Sequence, residues 1–413
     1  MKICFECFLM FSSIKIGGHM PKRKTTDKNF QDITQDIDIL ALQENIRARF
    51  SSFADPRESK RVNYPAWYII LLVICGYLSG CNTITDLASF AELRTPWMNA
   101  LFGSQFNAIS YDTIWWFFVR IKPEAFQQLL QEWVQALPKD LHNQLLSVDG
   151  KRLRGVSDNE HICHLVELFS AESRLVIAQE RVPDKKCERK ALPALLKSVD
   201  VKGAVIAMDA HYLYKEALQS VLDSGADFLV GIKGNQGSLA DEVSNYFNQA
   251  EAIDYEDEEF QCHKTVDKGH GRIESRHICV SHSLDWLPGN DEWGFKTIIE
   301  VRSERIIKEE LQQGTLYYGT SRKATAKECA GWIRDHWLIE NGCHWTMDVI
   351  FKEDDQIANV GYTAENTALL RRVCSNIVKM FDPARGLADA RRNAMYEPSY
   401  LRGLLFRLFC HNC

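Results

Sequence analysis

Three acidic residues stand where phosphoryl chemistry would need them. Asp149 ends the segment Leu146-Ser-Val-Asp149-Gly-Lys151, and Asp209 ends Val205-Ile-Ala-Met-Asp209-Ala210. Glu340 lies inside His336-Trp-Leu-Ile-Glu340-Asn341, an amphipathic helical pattern. The first two segments are apolar runs of strand type, so each Asp falls at a strand end. The two Asp are 60 residues apart, and Glu340 follows Asp209 by 131. Carboxylates suit hard divalent cations. Mg²⁺, or Mn²⁺ in its stead, prefers carboxylate oxygen and keeps positions open for substrate phosphate. Two such ions can stabilise the attacking and leaving oxygens of an in-line displacement. The set points to metal-dependent cutting or joining of nucleic acid.

Each residue also has a plainer reading. An Asp after a strand is commonly a turn residue or a helix cap. His336, Glu340, His344, Asp348 and Lys352 recur every four residues, a row that drifts ~40° per step and makes a polar stripe along a helix. That stripe can be a salt-linked exposed face, or a zinc site through its histidines, although no upstream thiolate or His pair completes one. Trp332, Ile339 and Met347 lie off the row and are expected to pack on a sheet. Lys151 and Arg152 follow the first Asp and are candidates for contact with a DNA strand, or an exposed basic turn. Lys233-Gly-Asn-Gln236-Gly follows a buried strand, and glycines there let backbone approach phosphate while Lys233 adds charge. Arg272, Glu274 and Arg276 alternate along one strand as DNA contacts or as a cross-strand ion-pair ladder. Cys4/Cys7 and Cys410/Cys413 have metal-like spacing but lie at opposite ends of the chain.

The elements that must position these groups follow from pattern. With 413 residues, 46% hydrophobic and 25% charged, the chain has the composition of a globular protein with two or three domains. The net charge of −6 gives no global attraction to nucleic acid, so any basic groove is local. The 13 scattered cysteines fit reduced thiols in a cytoplasm. Residues 1–45 read as a flexible lead-in, with a start at Met20 fitting better than a signal peptide. The run from Trp67 to Tyr77 falls short of the roughly 20 apolar residues a spanning helix needs, so it reads as a buried helix and no membrane partner is expected. Residues 46–140 read as an all-helical unit. From Asn143 strands appear: Leu145–Val148, His161–Phe169, Arg174–Val182, Ala204–Met208 and Phe228–Ile232, with helices over Leu192–Val199 and Lys215–Ser224. A β-rich insertion spans about 236–313, followed by a strand at Thr315–Gly319. A long helix from Lys327 to about Ile350 carries Glu340, and a second covers Thr363–Phe381. The alternation implies an α/β mixed sheet with helices on its faces. From Arg371 onward seven Arg and one Lys face three acids, and residues 382–413 read as a basic tail able to touch phosphate.

The chain resembles the DDE transposases of bacterial insertion sequences, and among them most nearly the H-repeat-associated proteins of Rhs elements. The resemblance runs from about Phe50 to Phe381. It rests on Phe50-Ser-Ser-Phe-Ala-Asp-Pro-Arg57 with Tyr64-Pro65, Asp149-Gly-Lys151, Lys233-Gly-Asn-Gln236, Gly269-His-Gly-Arg-Ile-Glu274, His336-Trp-Leu-Ile-Glu-Asn341 and His344-Trp-Thr-Met-Asp-Val-Ile-Phe351. It implies a ribonuclease-H-like catalytic domain over 141–381 with its β insertion, preceded by a helical, DNA-binding unit. It assigns a two-ion site to Asp149, Asp209 and Glu340. It also implies binding of double-stranded DNA at terminal inverted repeats and target, hydrolysis and strand transfer, and a homo-oligomer at synapsis in the bacterial cytoplasm at the nucleoid. DNA contacts are expected from Lys151, Arg152, Lys233, Arg272, His336 and His344. A Tyr-x-x-Arg-x-x-x-Glu-x₆-Lys signature seen in the wider superfamily reads Ile333, His336, Glu340 and Met347 here, so phosphate contacts must come from elsewhere. Where the group has Lys-Ser-Asn-Glu, this chain has Lys185-Lys-Cys-Glu188. A decayed copy that only binds DNA and a structure-selective nuclease of the same fold are the alternatives.

Overall fold

The computed structural model describes residues 37–51, 53, 55, 57, 62–128, 141–153, 164–234, 237–253, 255, 260–269, 272–307, 310–356 and 360–410. Most of the lead-in, the end of the helix opened by Pro123, Asn235 and Gln236, and the paired cysteines Cys4, Cys7 and Cys413 lie outside them.

The described residues before the first strand are helical: α1 Ile39–Arg49, α2 Ala66–Leu78, α3 Ile84–Phe102 and α4 Tyr111–Arg120. Helix α2 is apolar on every side, and all its residues except Trp67 are buried, as expected of a helix surrounded by others. No helix among the described residues is long and apolar enough to cross a membrane. The N-terminus of α3 is fixed by a capping box between Thr83 and Asp86, which satisfies free N–H groups at both positions.

A nine-stranded mixed sheet follows, in the order β3-β2-β1-β4-β5-β9-β8-β7-β6. Its strands are β1 Leu145–Arg152, β2 His164–Ser170, β3 Val176–Val182, β4 Val205–Met208, β5 Asp227–Ile232, β6 Phe260–Gly269, β7 Arg272–Ser281, β8 Thr297–Ile307 and β9 Glu310–Thr320. β1, β4 and β5 run parallel, while β2 and β9 flank them antiparallel. Period-2 alternation sorts the parallel strands onto two faces. Leu146, Val148, Ile206, Met208, Phe228 and Val230 pack with helices α5 Glu188–Lys197, α6 Lys215–Asp223 and α7 Gly237–Ala252. Leu145, Val205, Ala207 and Leu229 face the other way, against Ala326, Cys329 and Ile333 of α8 Ala326–His336. Both faces are therefore covered, which is why these strands read as continuous apolar runs.

Several expectations change. The long helix to Ile350 is an α-helix only as far as His336; Ile339–His344 and Thr346–Ile350 are π-helical. The segment 236–313 is rich in strands, as expected, and they join the central sheet. It begins with helix α7, and its strands, with β9, extend the sheet through β5. The basic tail folds into α10 Leu387–Tyr396 and α11 Pro398–Cys410 behind α9 Thr363–Phe381. Leu387, Tyr400, Leu401, Leu404 and Leu405 join one core with α2, α3 and α4. One tail arginine serves structure: Arg391 is 5% exposed and donates to the carbonyls of Tyr77 (2.7 Å), Cys81 (2.8 Å) and Ile350 (2.5 Å). Positive charge near helix ends reads alike in sequence whether it meets water or buried carbonyls. The thiol expectation is corrected at one pair. Cys262 and Cys279 are registered partners on β6 and β7, with Cα atoms 4.2 Å apart, and are joined by a disulfide.

Candidate functional site

The register decides how the acids meet. β1 and β4 pair in parallel with Val148 opposite Met208, so the next residues, Asp149 and Asp209, sit side by side. Asp209 follows the end of β4, whereas Asp149 is not at a strand end as expected but inside β1, which runs on to Arg152 beside β2. Neighbouring strands lie about 4.8 Å apart. Asp149 continues the Leu145, Ser147 series, and Asp209 the Val205, Ala207 series. Both therefore belong to the face covered by α8 and the π-helical segment after it. Ser147 Oγ donates to the His336 carbonyl at 3.5 Å, which ties that segment to β1. Glu340 comes from the same segment and is exposed to solvent.

The electrostatics join the three. Burial, with the charges of Glu340 and Asp209, pushes the Asp149 carboxyl up to about 6 against the pull of His344. Each Asp has one oxygen engaged locally: Asp149 Oδ1 accepts from the Gly150 N–H at 2.8 Å, and Asp209 Oδ1 from the His211 N–H at 2.7 Å. The three carboxylates do not all lie within 4.8 Å of one another: among the described residues the one group of three or more His, Cys, Asp or Glu side chains that does is Cys262, His277 and Cys279, of which two form the disulfide. An all-carboxylate donor set whose central acid is raised chiefly by burial, and further by its acidic neighbours, would suit divalent cations, which prefer carboxylate oxygen.

Gly150 is required by what lies behind it. A Cβ there would meet Glu188 Oε1 at 2.2 Å and His164 Nε2 at 2.7 Å. Glu188 and His164 are buried and hydrogen-bonded to each other. The segment Lys185-Lys-Cys-Glu188 thus supplies a buried carboxylate just behind Asp149. Tyr212, 1% exposed, lies within electrostatic reach of Glu188, Asp149 and Asp209, and its hydroxyl has no hydrogen-bond partner among the described residues.

The residues expected at DNA separate into groups. Arg152 and Lys233 are exposed. The side chain of Arg272 lies outside the described residues. Lys151 is not available as drawn: it is 6% exposed, bonded to Asp348 and 3.7 Å from Glu353. Odd-numbered parity turns it inward beside Asp149. Burial lowers His336 to about 4, opposed by Asp209 and reinforced by Lys233. Ile333 and Met347, at the signature's Tyr and Lys positions, are buried core residues.

His344 is part of a buried charge network that the sequence reading missed. Its Nε2 is 3.0 Å from Glu167 Oε2, and its Nδ1 is 3.6 Å from Asp149 Oδ2. Glu167 and Arg372 are both 0% exposed, with Arg372 Nε 2.5 Å from Glu167 Oε1. Arg372 also binds Glu353. Despite burial, Arg372 and His344 hold Glu167 far below the usual carboxylate range. Burial alone would lower His344, but its hydrogen bond to Glu167 and the charges of Glu167 and Asp149 raise it. The signal available in sequence was a Glu inside the apolar run His164-Leu-Val-Glu-Leu-Phe and an Arg pair inside the apolar face of α9.

Residues 142–377 match the family model of the transposase DDE domain. The chain belongs to the DDE transposase family. Residues 47–134 match the model described as DDE_Tnp_1-associated, which in this DDE transposase is the span of α2–α4 and their flanks. The "H repeat-associated putative transposase YhhI" of Escherichia coli K12 is 30% identical over 89% of this chain and 98% of its own length. An uncharacterized protein in the dhlA 3′ region of Xanthobacter autotrophicus is 30% identical over 69% of this chain and 97% of its own. The piggyBac transposase, seen by cryo-EM in a synaptic complex with hairpin DNA, aligns at 10% identity and a TM-score of 0.44, covering 91% of this chain and 80% of that one. That likeness is too loose to argue from.

Proposed function

We propose that this transposase cleaves DNA at the ends of its element and joins them to target DNA, using two divalent cations, Mg²⁺ or Mn²⁺, at Asp149, Asp209 and Glu340. The catalytic domain, 141–381, is on this reading ribonuclease-H-like. When bound, the ions supply charge neutralisation to the attacking and leaving oxygens. Asp149, the central acid, Asp209 and Glu340 would together hold the ions. Glu340 also orients the attacking water and later the DNA 3′-hydroxyl. The protein's own share is positioning and preorganised charge. Arg152 and Lys233, exposed beside the strand exits, hold backbone phosphates. The helical unit at 46–140 binds the terminal inverted repeats, and two chains or more bring two ends together in the bacterial cytoplasm.

The observation that carries this reading is the side-by-side position of Asp149 and Asp209 on the face covered by the segment that carries Glu340, with Asp149 raised chiefly by burial and further by both other acids. The test is nicking of the element's own end sequences in Mg²⁺ by Asp149→Asn, Asp209→Asn and Glu340→Gln. Each is expected to lose cleavage while still retarding end DNA in a gel. Wild-type cleavage by Asp149→Asn and Asp209→Asn would end the proposal.

A further inference from the structure

The geometry points to His344 and Glu167 as a positioning pair that fixes the Asp149 carboxylate for ion binding. This inference rests on the ion site proposed above.

Glu167 is registered directly opposite Asp149 on the adjacent strand, and both belong to the face under the π-helical segment. Two carboxylates in such a cross-strand pair repel. His344 stands between them, with Nε2 3.0 Å from Glu167 and Nδ1 3.6 Å from Asp149. Glu167 is 0% exposed, so it cannot meet substrate. Its second oxygen is held by Arg372, which is anchored in α9 and bonded to Glu353. Glu167 is therefore immobile, and it fixes the plane of the His344 ring.

The consequence falls on Asp149. Oδ1 is fixed by the Gly150 N–H and Oδ2 faces the imidazole, so carboxylate rotation is restricted from both sides. His344 and Glu340 share one π-helical segment, Ile339–His344, so the helix that presents one proposed ligand also orients another. Residues that orient ligands in this way typically change metal affinity by about 10–100-fold when altered.

The test uses the full-length protein and Mn²⁺ alone, with binding followed by electron paramagnetic resonance, then nicking of end DNA as a function of Mn²⁺ concentration. His344→Ala is expected to raise the Mn²⁺ Kd by about 10–100-fold, and Glu167→Gln by about tenfold. Nicking at saturating Mn²⁺ should fall much less than nicking at limiting Mn²⁺. His344→Gln, whose amide can still donate toward a carboxylate, should recover part of the affinity. A purely structural role would not give this split between affinity and turnover, nor the rescue. If His344→Ala fails to fold by circular dichroism, Glu167→Gln and His344→Gln decide. Folded variants with wild-type Mn²⁺ affinity overturn the inference and leave the ion site standing. A wild-type protein that binds no Mn²⁺, or an Asp149→Asn variant that binds it equally well, overturns both.

Discussion

Arg372→Met is the sharpest probe of how this fold is held at its centre. Arg372 is fully buried and bridges Glu167 and Glu353. Methionine keeps most of the stem volume and removes the charge. The two carboxylates then fare differently. Glu353 retains Lys151 and Arg371, each 3.7 Å away, whereas Glu167 retains His344 and a weak 3.8 Å hydrogen bond from the neutral Cys343 thiol. Removing one partner of a buried pair costs ~3–5 kcal/mol because a charge is left uncompensated. With one carboxylate stranded and the other still paired, about 3 kcal/mol is expected, read from urea unfolding by tryptophan fluorescence at pH 7. The pH dependence follows from sign. In the wild type the Glu167 carboxyl is depressed, so its contribution is complete above the unfolded value of about 4.3 and is lost only as pH falls toward the depressed folded value. Without Arg372 that carboxyl rises and takes up a proton on folding. The variant's deficit should therefore shrink between pH 8 and pH 5, while the wild type changes little through this group. Glu167→Gln added to Arg372→Met should recover part of the loss, because no bare charge remains. A deficit below about 1 kcal/mol, or one independent of pH over that range, would refute the reasoning.

Other outcomes follow from the same geometry. Gly150→Ala should cost about 1–3 kcal/mol through overpacking against Glu188 and His164, checked by thermal melting. Asp149→Asn should raise the melting temperature of metal-free protein at pH 8, since a carboxyl pushed up to about 6 is destabilising when charged; the gain should disappear below about pH 4, where the acid is protonated folded and unfolded alike. Arg391→Ala should destabilise by about 2 kcal/mol or more, because several buried carbonyls lose a charged donor, with urea midpoints as the measure. A loss within 0.5 kcal/mol, roughly the range of an unremarkable surface change, would restore the reading of that segment as a solvated basic tail.

The sequence by itself determined a good deal. Apolar runs bounded by Gly or Asp located β1, β4 and β5, because strands buried on both faces must be continuously hydrophobic. The helix over Thr363–Phe381 and the buried character of the run from Trp67 to Tyr77 were legible from side-chain pattern. The acids Asp149, Asp209 and Glu340 were legible as candidates from their place at the ends of those patterns and from resemblance. What only the tertiary structure decided was which of the polar side chains meet. Parity along β1 turned Lys151 inward with Asp149, where spacing alone suggested a surface contact. Register paired Asp149 with Glu167, a residue 18 positions later in the chain that local pattern treats as one more strand position. Arg391 of the tail became a carbonyl clamp because α9, α10 and α11 pack into the N-terminal helical core. Local pattern reports the face a side chain must take; partners across strands and helices are set by register and packing between segments hundreds of residues apart, and no short stretch of sequence contains them.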